Sequence, residues 1–291
     1  MSLPPEIQKK VKLLEISTRK LVNNLFSGEY HSAFKGQGMT FSEFREYVPG
    51  DDVRTISWPV TARTGKPYIK KFDEERENTL MLMVDISGSS DFGGQQYFKG
   101  EALNHLAALL SFSAQRNKDP VGLMLFSDQV EHYVPPKKGK GHVHRILRDL
   151  YYFKPHSTGT KLSVALDSMI GMLKKRATVF VFSDFLDEGF ERSLRYLGQK
   201  HDVTAVVVED SIEAQLPNVG LVDVRDAETG EIMTIDTSSP VFRRDYEKLI
   251  AQKKVQRDEM LTKSRVGRVD VRCDGDIVDP LVQFFRRRVG R

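Results

Sequence analysis

The chain has 291 residues, 40% of them hydrophobic, which suits one large α/β domain or two smaller ones and excludes a disordered chain. Against 44 Lys and Arg stand 40 Asp and Glu, interspersed along the sequence, so the formal charge of +4 is a weak nucleic-acid signal and no nucleic-acid partner is expected. The single cysteine, Cys273, excludes an internal disulfide and has no partner at zinc-ligand spacing. With no apolar run near ~18 residues and no secretory core after Met1, this reads as a cytoplasmic protein without a transmembrane segment.

In chain order, Ile7, Val11, Leu14, Leu21 and Leu25 mark one face of an expected N-terminal helix, with Lys9, Lys10, Lys12, Arg19 and Lys20 mostly elsewhere. Packing on its own domain is the plain reading of such a helix, and peripheral contact with a membrane surface is the other. Gly36 to Lys71 is rich in Gly, Pro and aromatics and suits short strands and turns. Residues 1–78 are therefore expected to form an N-terminal helix and a β-rich segment. Arg45, Asp51, Asp52, Arg54 and Arg63 within it suit either a partner surface or structural ion pairs.

From Leu80 the pattern changes to apolar runs alternating with stretches of helical period, and residues 79–291 are expected to form a parallel sheet flanked by helices. Leu80 to Val84, Val121 to Phe126, Ala177 to Ser183, Val203 to Val208 and Arg268 to Cys273 are the strands. Phe98, Ala102, Leu106, Leu109 and Ser113 follow helical spacing, as do Leu162, Ala165, Leu166, Met169 and Leu173. Val219 to Asp236 breaks the rhythm with two short strand-like runs and is expected to be an inserted hairpin. Ser239-Pro240 opens a long helix to about Ser264. Two basic clusters, Lys137-Lys138-Gly139-Lys140 and Arg286-Arg287-Arg288 with Arg291, read as a solvated loop and a solvated tail, and His142 and His144 as exposed polar surface. Cys273 reads as core.

Three fragments at strand ends carry the chemistry. Asp85-Ile86-Ser87-Gly88-Ser89 leaves the first apolar run with a carboxylate and two hydroxyls on alternate residues, an oxygen set for a hard cation such as Mg²⁺, or Mn²⁺ or Ca²⁺. Ser157-Thr158-Gly159-Thr160-Lys161 can add the Thr160 hydroxyl, and Ser183-Asp184-Phe185 can add Asp184 directly or through water. An ion held largely by neutral oxygens stays electron-poor, so an Asp or Glu from a protein partner could complete its shell. No phosphate loop is present. Ser87 stands where a phosphatase of the haloacid-dehalogenase type needs a second carboxylate.

This combination resembles the von Willebrand factor A domain and its metal-ion-dependent adhesion site, with Asp85, Ser87 and Ser89 in the first loop, Thr160 in the second and Asp184 in the third. Phe41 to Arg54, with Trp58 and Ala62-Arg63, resembles the bacterial domain-of-unknown-function family 58, as do Leu216 to Gly220, Glu228 to Glu231 and Phe284 to Arg288. Two positions depart from that family: Ser57 where it usually carries Asp, and Lys161 where an acidic residue often follows the second-loop Thr. The resemblance implies a von Willebrand factor A-like (Rossmann-like) α/β fold. It also implies a non-enzymatic, Mg²⁺-dependent protein-interaction module that partners a MoxR-type AAA+ ATPase, or its client, in protein maturation or stress response. The alternatives are a metal-dependent hydrolase using Asp85 and a basic-surface nucleic-acid or membrane adaptor.

Overall fold

The computed structural model describes residues 40–73, 78–91, 97–226 and 230–289, and the chain divides into two units, residues 34–78 and residues 1–33 with 79–291. The expected N-terminal helix, residues 227–229 of the hairpin tip and Arg291 lie outside the described residues.

In the smaller unit, β1 (Thr40–Glu46) pairs antiparallel with β2 (Tyr68–Asp73), with a bulge between Phe41 and Glu43. The connection holds a 3-10 turn at Val53–Thr55, opened by Asp52 accepting from the Arg54 N–H, and a short helix not foreseen from sequence, α1 (Trp58–Thr64). Pro59 suits the first turn of α1, where no N–H is needed, and Gly65 closes it at φ +72°, a left-handed conformation that a Cβ would strain. Ser57 is buried, its N–H donating to the Tyr68 carbonyl at 2.8 Å. Arg45 grips Asp51 with two bonds of 2.8 and 2.9 Å, and Arg54 grips Asp52, so these residues pair within the unit.

In the larger unit the apolar runs form a six-stranded sheet from β3 (Leu80–Asp85), β4 (Val121–Phe126), β5 (Val130–Lys137), β6 (Thr178–Ser183), β7 (Asp202–Glu209) and β10 (Gly267–Arg272), in the order β10-β7-β6-β3-β4-β5. All neighbours are parallel except β4 and β5. The expected parallel sheet is thus present, with one antiparallel edge strand, β5, that was not foreseen. Pro135-Pro136 obscured β5 in the sequence, and proline is tolerated there because the strand lies at an edge.

The helices are α2 (Lys99–Arg116), α3 (Lys140–Tyr152), α4 (Leu162–Met172), α5 (Glu191–Lys200), α6 (Ser211–Ala214), α7 (Pro240–Ser264) and α8 (Asp279–Val289). One face of the sheet presents Met81, Met83, Met124, Val179 and Val181 to a cluster completed by Leu166, Leu194 and Leu261 of α4, α5 and α7. On strand positions of opposite parity, Phe180 meets Phe285 of α8 at 6.2 Å. Cover on both faces explains why β3, β4 and β6 are buried at every position and read as continuous apolar runs without alternation. Cys273 is buried, and burial pushes its thiol up to about 11.

The hairpin is present as β8 (Leu221–Arg225) against β9 (Ile232–Asp236). Two further expectations hold only in part. Lys137 to Lys140 is exposed, but only Lys138-Gly139 is a connection, because Lys137 ends β5 and Lys140 opens α3, and His142 on that helix is half-buried with Nε2 2.9 Å from the Val121 carbonyl. Arg286 and Arg287 are exposed as expected, but with Arg288, which pairs with Asp202, they form the last turn of α8 and not a tail.

Candidate metal centre

The topology makes the crevice. From β3 the chain crosses through α2 to β4 on one side, whereas from β6, the other neighbour of β3, it proceeds through α5 to β7 on the opposite side. Adjacent strands that lead in opposite directions leave a crevice at their carboxyl ends, and Asp85 and Asp184 stand at the ends of these two.

Asp85 is 3% exposed. Its Oδ1 accepts the Ser87 N–H at 3.0 Å, which curls the first loop back over the strand, and its Oδ2 accepts the Ser183 hydroxyl at 2.7 Å. The curl brings the Ser87 and Ser89 hydroxyls within 3.2 Å of each other. No cationic side chain pairs with Asp85 among the described residues. Burial, then the like charge of Asp184, push its carboxyl up to about 6, against the pull of its hydrogen bonds.

Asp184 is met differently. Lys99, in the first turn of α2 and with only 3% of its side chain exposed, donates to Asp184 Oδ2 at 3.2 Å and pairs also with Glu213 of α6. Burial alone would lower the Lys99 pKa, but the two carboxylates outweigh it and keep the ammonium charged. Asp184 Oδ1 accepts the Leu186 N–H and its carbonyl accepts Arg257, which also pairs with Glu209. Phe185, buried and bulky, sits at φ +56°, a conformation that costs roughly 1–3 kcal/mol and turns the chain sharply after Asp184.

The second loop is placed by the residues on either side of Thr160, Thr158 and Lys161. The Gly88 N–H donates to the Thr158 carbonyl at 2.8 Å, and the Lys161 N–H to the Ser127 carbonyl at 3.1 Å, so the second loop is tied to the first loop and to the end of β4. Asp187 of the third loop caps α4 by accepting the Leu162 N–H and lies 3.8 Å from Lys161 Nζ, which answers the charge that Lys161 brings. Glu131 anchors the second loop from β5. It accepts the Ser127 hydroxyl at 2.7 Å, the His156 and Ser157 N–H groups and His156 Nδ1. Burial would raise this carboxyl, but those bonds together hold it down at about 2. Lys99, Glu131 and Asp187 were not singled out in sequence. Their partners are distant in the chain, so no spacing signalled them.

The donor set fits a small hard cation. Cis ligands about 2.1 Å from an octahedral Mg²⁺ are roughly 3.0 Å apart, close to the 3.2 Å between the Ser87 and Ser89 hydroxyls. No group of three or more His, Cys, Asp or Glu suited to a metal occurs among the described residues, so any cation here relies on hydroxyls beside carboxylate.

Fold and site together define an α/β protein with a mostly parallel sheet and a hydroxyl-carboxylate cluster at its switch point. Residues 43–256 match the family described as protein of unknown function DUF58, and the chain belongs to that family. An uncharacterised protein of Mycobacterium tuberculosis is 28% identical over 287 residues, 98% of this chain and 90% of that one. An uncharacterised protein of Mycobacterium avium is 27% identical over 160 residues, 53% of this chain and 93% of that one. Among solved structures, an aerotolerance-related membrane protein from Bacteroides fragilis is similar in fold. Its TM-score is 0.52 at 15% identity, over 73% of this chain and 98% of that one. No helix among the described residues is long and apolar enough to cross a membrane.

Proposed function

We propose that this chain is a non-enzymatic, Mg²⁺-dependent protein-interaction module. In this reading residues 79–291 are a von Willebrand factor A-like domain, and Asp85, Ser87, Ser89, Thr160 and Asp184 form its metal-ion-dependent adhesion site. The supporting observation is Asp85, a buried carboxylate with a like charge beside it, two hydroxyls at octahedral spacing and no cationic partner among the described residues. Mg²⁺ bound there supplies the missing positive charge and an open position for an acidic side chain. Lys99 is shared by Asp184 and Glu213, so with Mg²⁺ bound the charges of the cluster cancel, and an incoming Asp or Glu meets the open position of the ion without a net negative field. The ties through Gly88, Lys161 and Asp187 hold the three loops in register before a partner arrives.

The family resemblance suggests the partner: a MoxR-type AAA+ ATPase or its client, in the cytoplasm. Immobilised protein should retain such an ATPase in Mg²⁺ and release it in EDTA, and the Asp85→Ala variant should retain none. Thr160→Ala should weaken capture with at most about 1 kcal/mol lost from stability. Equal retention in Mg²⁺ and EDTA would remove the metal-dependent role. Phosphoester hydrolysis that needs Mg²⁺ and disappears in Asp85→Ala would replace this reading with a hydrolase.

A further inference from the structure

At the opposite end of the sheet, where β7 and β10 begin, lies a cavity of about 560 Å³. Five arginines line it: Arg176 before β6, Arg265 after α7, Arg268 at the start of β10, and Arg287 and Arg288 in the last turn of α8. Asp202 answers Arg288, and Asp258 and Asp270 answer Arg268. Arg176, Arg265 and Arg287 have no acidic partner among the described residues.

Part of this charge has a plain structural use. The carboxyl ends of α5, α7 and α8 border the cavity, and cations there complement roughly half a negative charge per helix. That does not account for Arg176, which belongs to none of these helices, nor for the concave placement of the group. Two buried polar atoms here also lack a hydrogen-bond partner. One is Nε2 of His201, a lining residue that is 4% exposed, and the other is Oγ1 of Thr204, beside the lining residue Gly267. Both atoms lie behind the cavity wall, closed to solvent, so the arginines at the surface of the cavity and not these atoms are what an occupant meets.

We propose that this cavity binds a small ligand carrying two or more phosphate groups. Guanidinium forks match phosphate oxygens with paired, charge-assisted bonds, and three arginines without acidic partners exceed what one monovalent anion needs. The half-buried Phe284 ring, with Arg288 stacked 5.9 Å from its centre, adds a flat apolar wall. Eight residues of β7 put about 25 Å between this cavity and the carboxyl ends of the strands, so the site works independently of the Asp85 cluster.

Calorimetric titrations of the full chain in EDTA test this with pyrophosphate, ATP, inorganic phosphate and citrate as probes. Pyrophosphate or ATP should bind and raise the melting temperature, with inorganic phosphate weaker by at least about tenfold. Arg176→Gln with Arg265→Gln, both exposed and without acidic partners, should weaken that binding at least about tenfold while leaving the unliganded melting curve unchanged. Asp85→Ala should bind as wild type does. No binding of either polyphosphate, equal affinity in the double variant, or citrate bound more tightly than pyrophosphate would each overturn the proposal. ATP bound more tightly than pyrophosphate would support it and assign Phe284 to the base.

Discussion

At the carboxyl ends of β3 and β6 the charges nearest the strands are mostly buried, whereas at the amino ends of β7 and β10 they are mostly exposed. Asp85 and Lys99 have lost almost all of their water, and they depend on the groups around them: hydrogen bonds hold Asp85, and ion pairs with Asp184 and Glu213 hold Lys99. Arg176, Arg265 and Arg287 are solvated and can stand unanswered. Burial, not the number of charges, therefore decides what a substitution costs, and the two ends should respond very differently to the same kind of change.

Lys99→Met should produce the largest effect, about 3–5 kcal/mol of lost stability, because it leaves Asp184 and Glu213 facing each other without their shared cation. Urea unfolding measures this. The matching loss of a cation at the other end, Arg176→Gln, should stay within about 0.5 kcal/mol. Equal costs would break the contrast between the two ends.

Asp85→Asn should act in the opposite direction. The folded-state pKa of Asp85 is raised from 3.8 to about 6, so its contribution to stability is fully present below pH 3.8 and is lost as pH rises through 6. In EDTA at pH 8 the Asn variant should exceed wild type by about 3 kcal/mol, and the gap should close as pH falls from 6 toward 4. Mg²⁺ should narrow the gap at pH 8 by stabilising only wild type. Denaturant melts across this pH range, with and without Mg²⁺, check both signs.

Glu131→Gln sharpens the comparison within the carboxyl end, since Glu131 is a buried carboxylate that is well satisfied. Its pKa is lowered from 4.5 to about 2, so its stabilisation is present above 4.5 and is lost as pH falls toward 2. The variant should be less stable by about 2 kcal/mol at pH 7, with the difference shrinking below pH 4.5. Stability curves that diverge on acidification would contradict the assignment.

Much of this arrangement was legible in the sequence where it depends on local pattern. The strands that end at Asp85, Phe126 and Ser183 are continuous apolar runs because helices cover both faces, and α7 is announced by Ser239-Pro240, with the Ser239 hydroxyl accepting the Phe242 N–H. Asp85 and Asp184 could be placed at strand ends from the apolar runs before them, whereas Thr160 lies in a connection between two helices, α3 and α4. β5 could not, because its prolines and mixed polarity imitate a loop, and α1 was hidden in a stretch rich in turn residues. Lys99 gave no signal: its partners lie 85 and 114 residues further along, and a lysine in a helical first turn resembles any surface residue. The pairing of Arg288 was hidden for the same reason, since its partner Asp202 is 86 positions away.

Everything proposed for the carboxyl end depends on Asp85 serving as the carboxylate of a cation site. Isothermal titration of Mg²⁺ into wild type and Asp85→Ala at pH 7.5, with circular dichroism to verify that both are folded, tests it most directly. Saturable binding in wild type and none in a folded variant is the predicted result; the same Mg²⁺ affinity in both would contradict it.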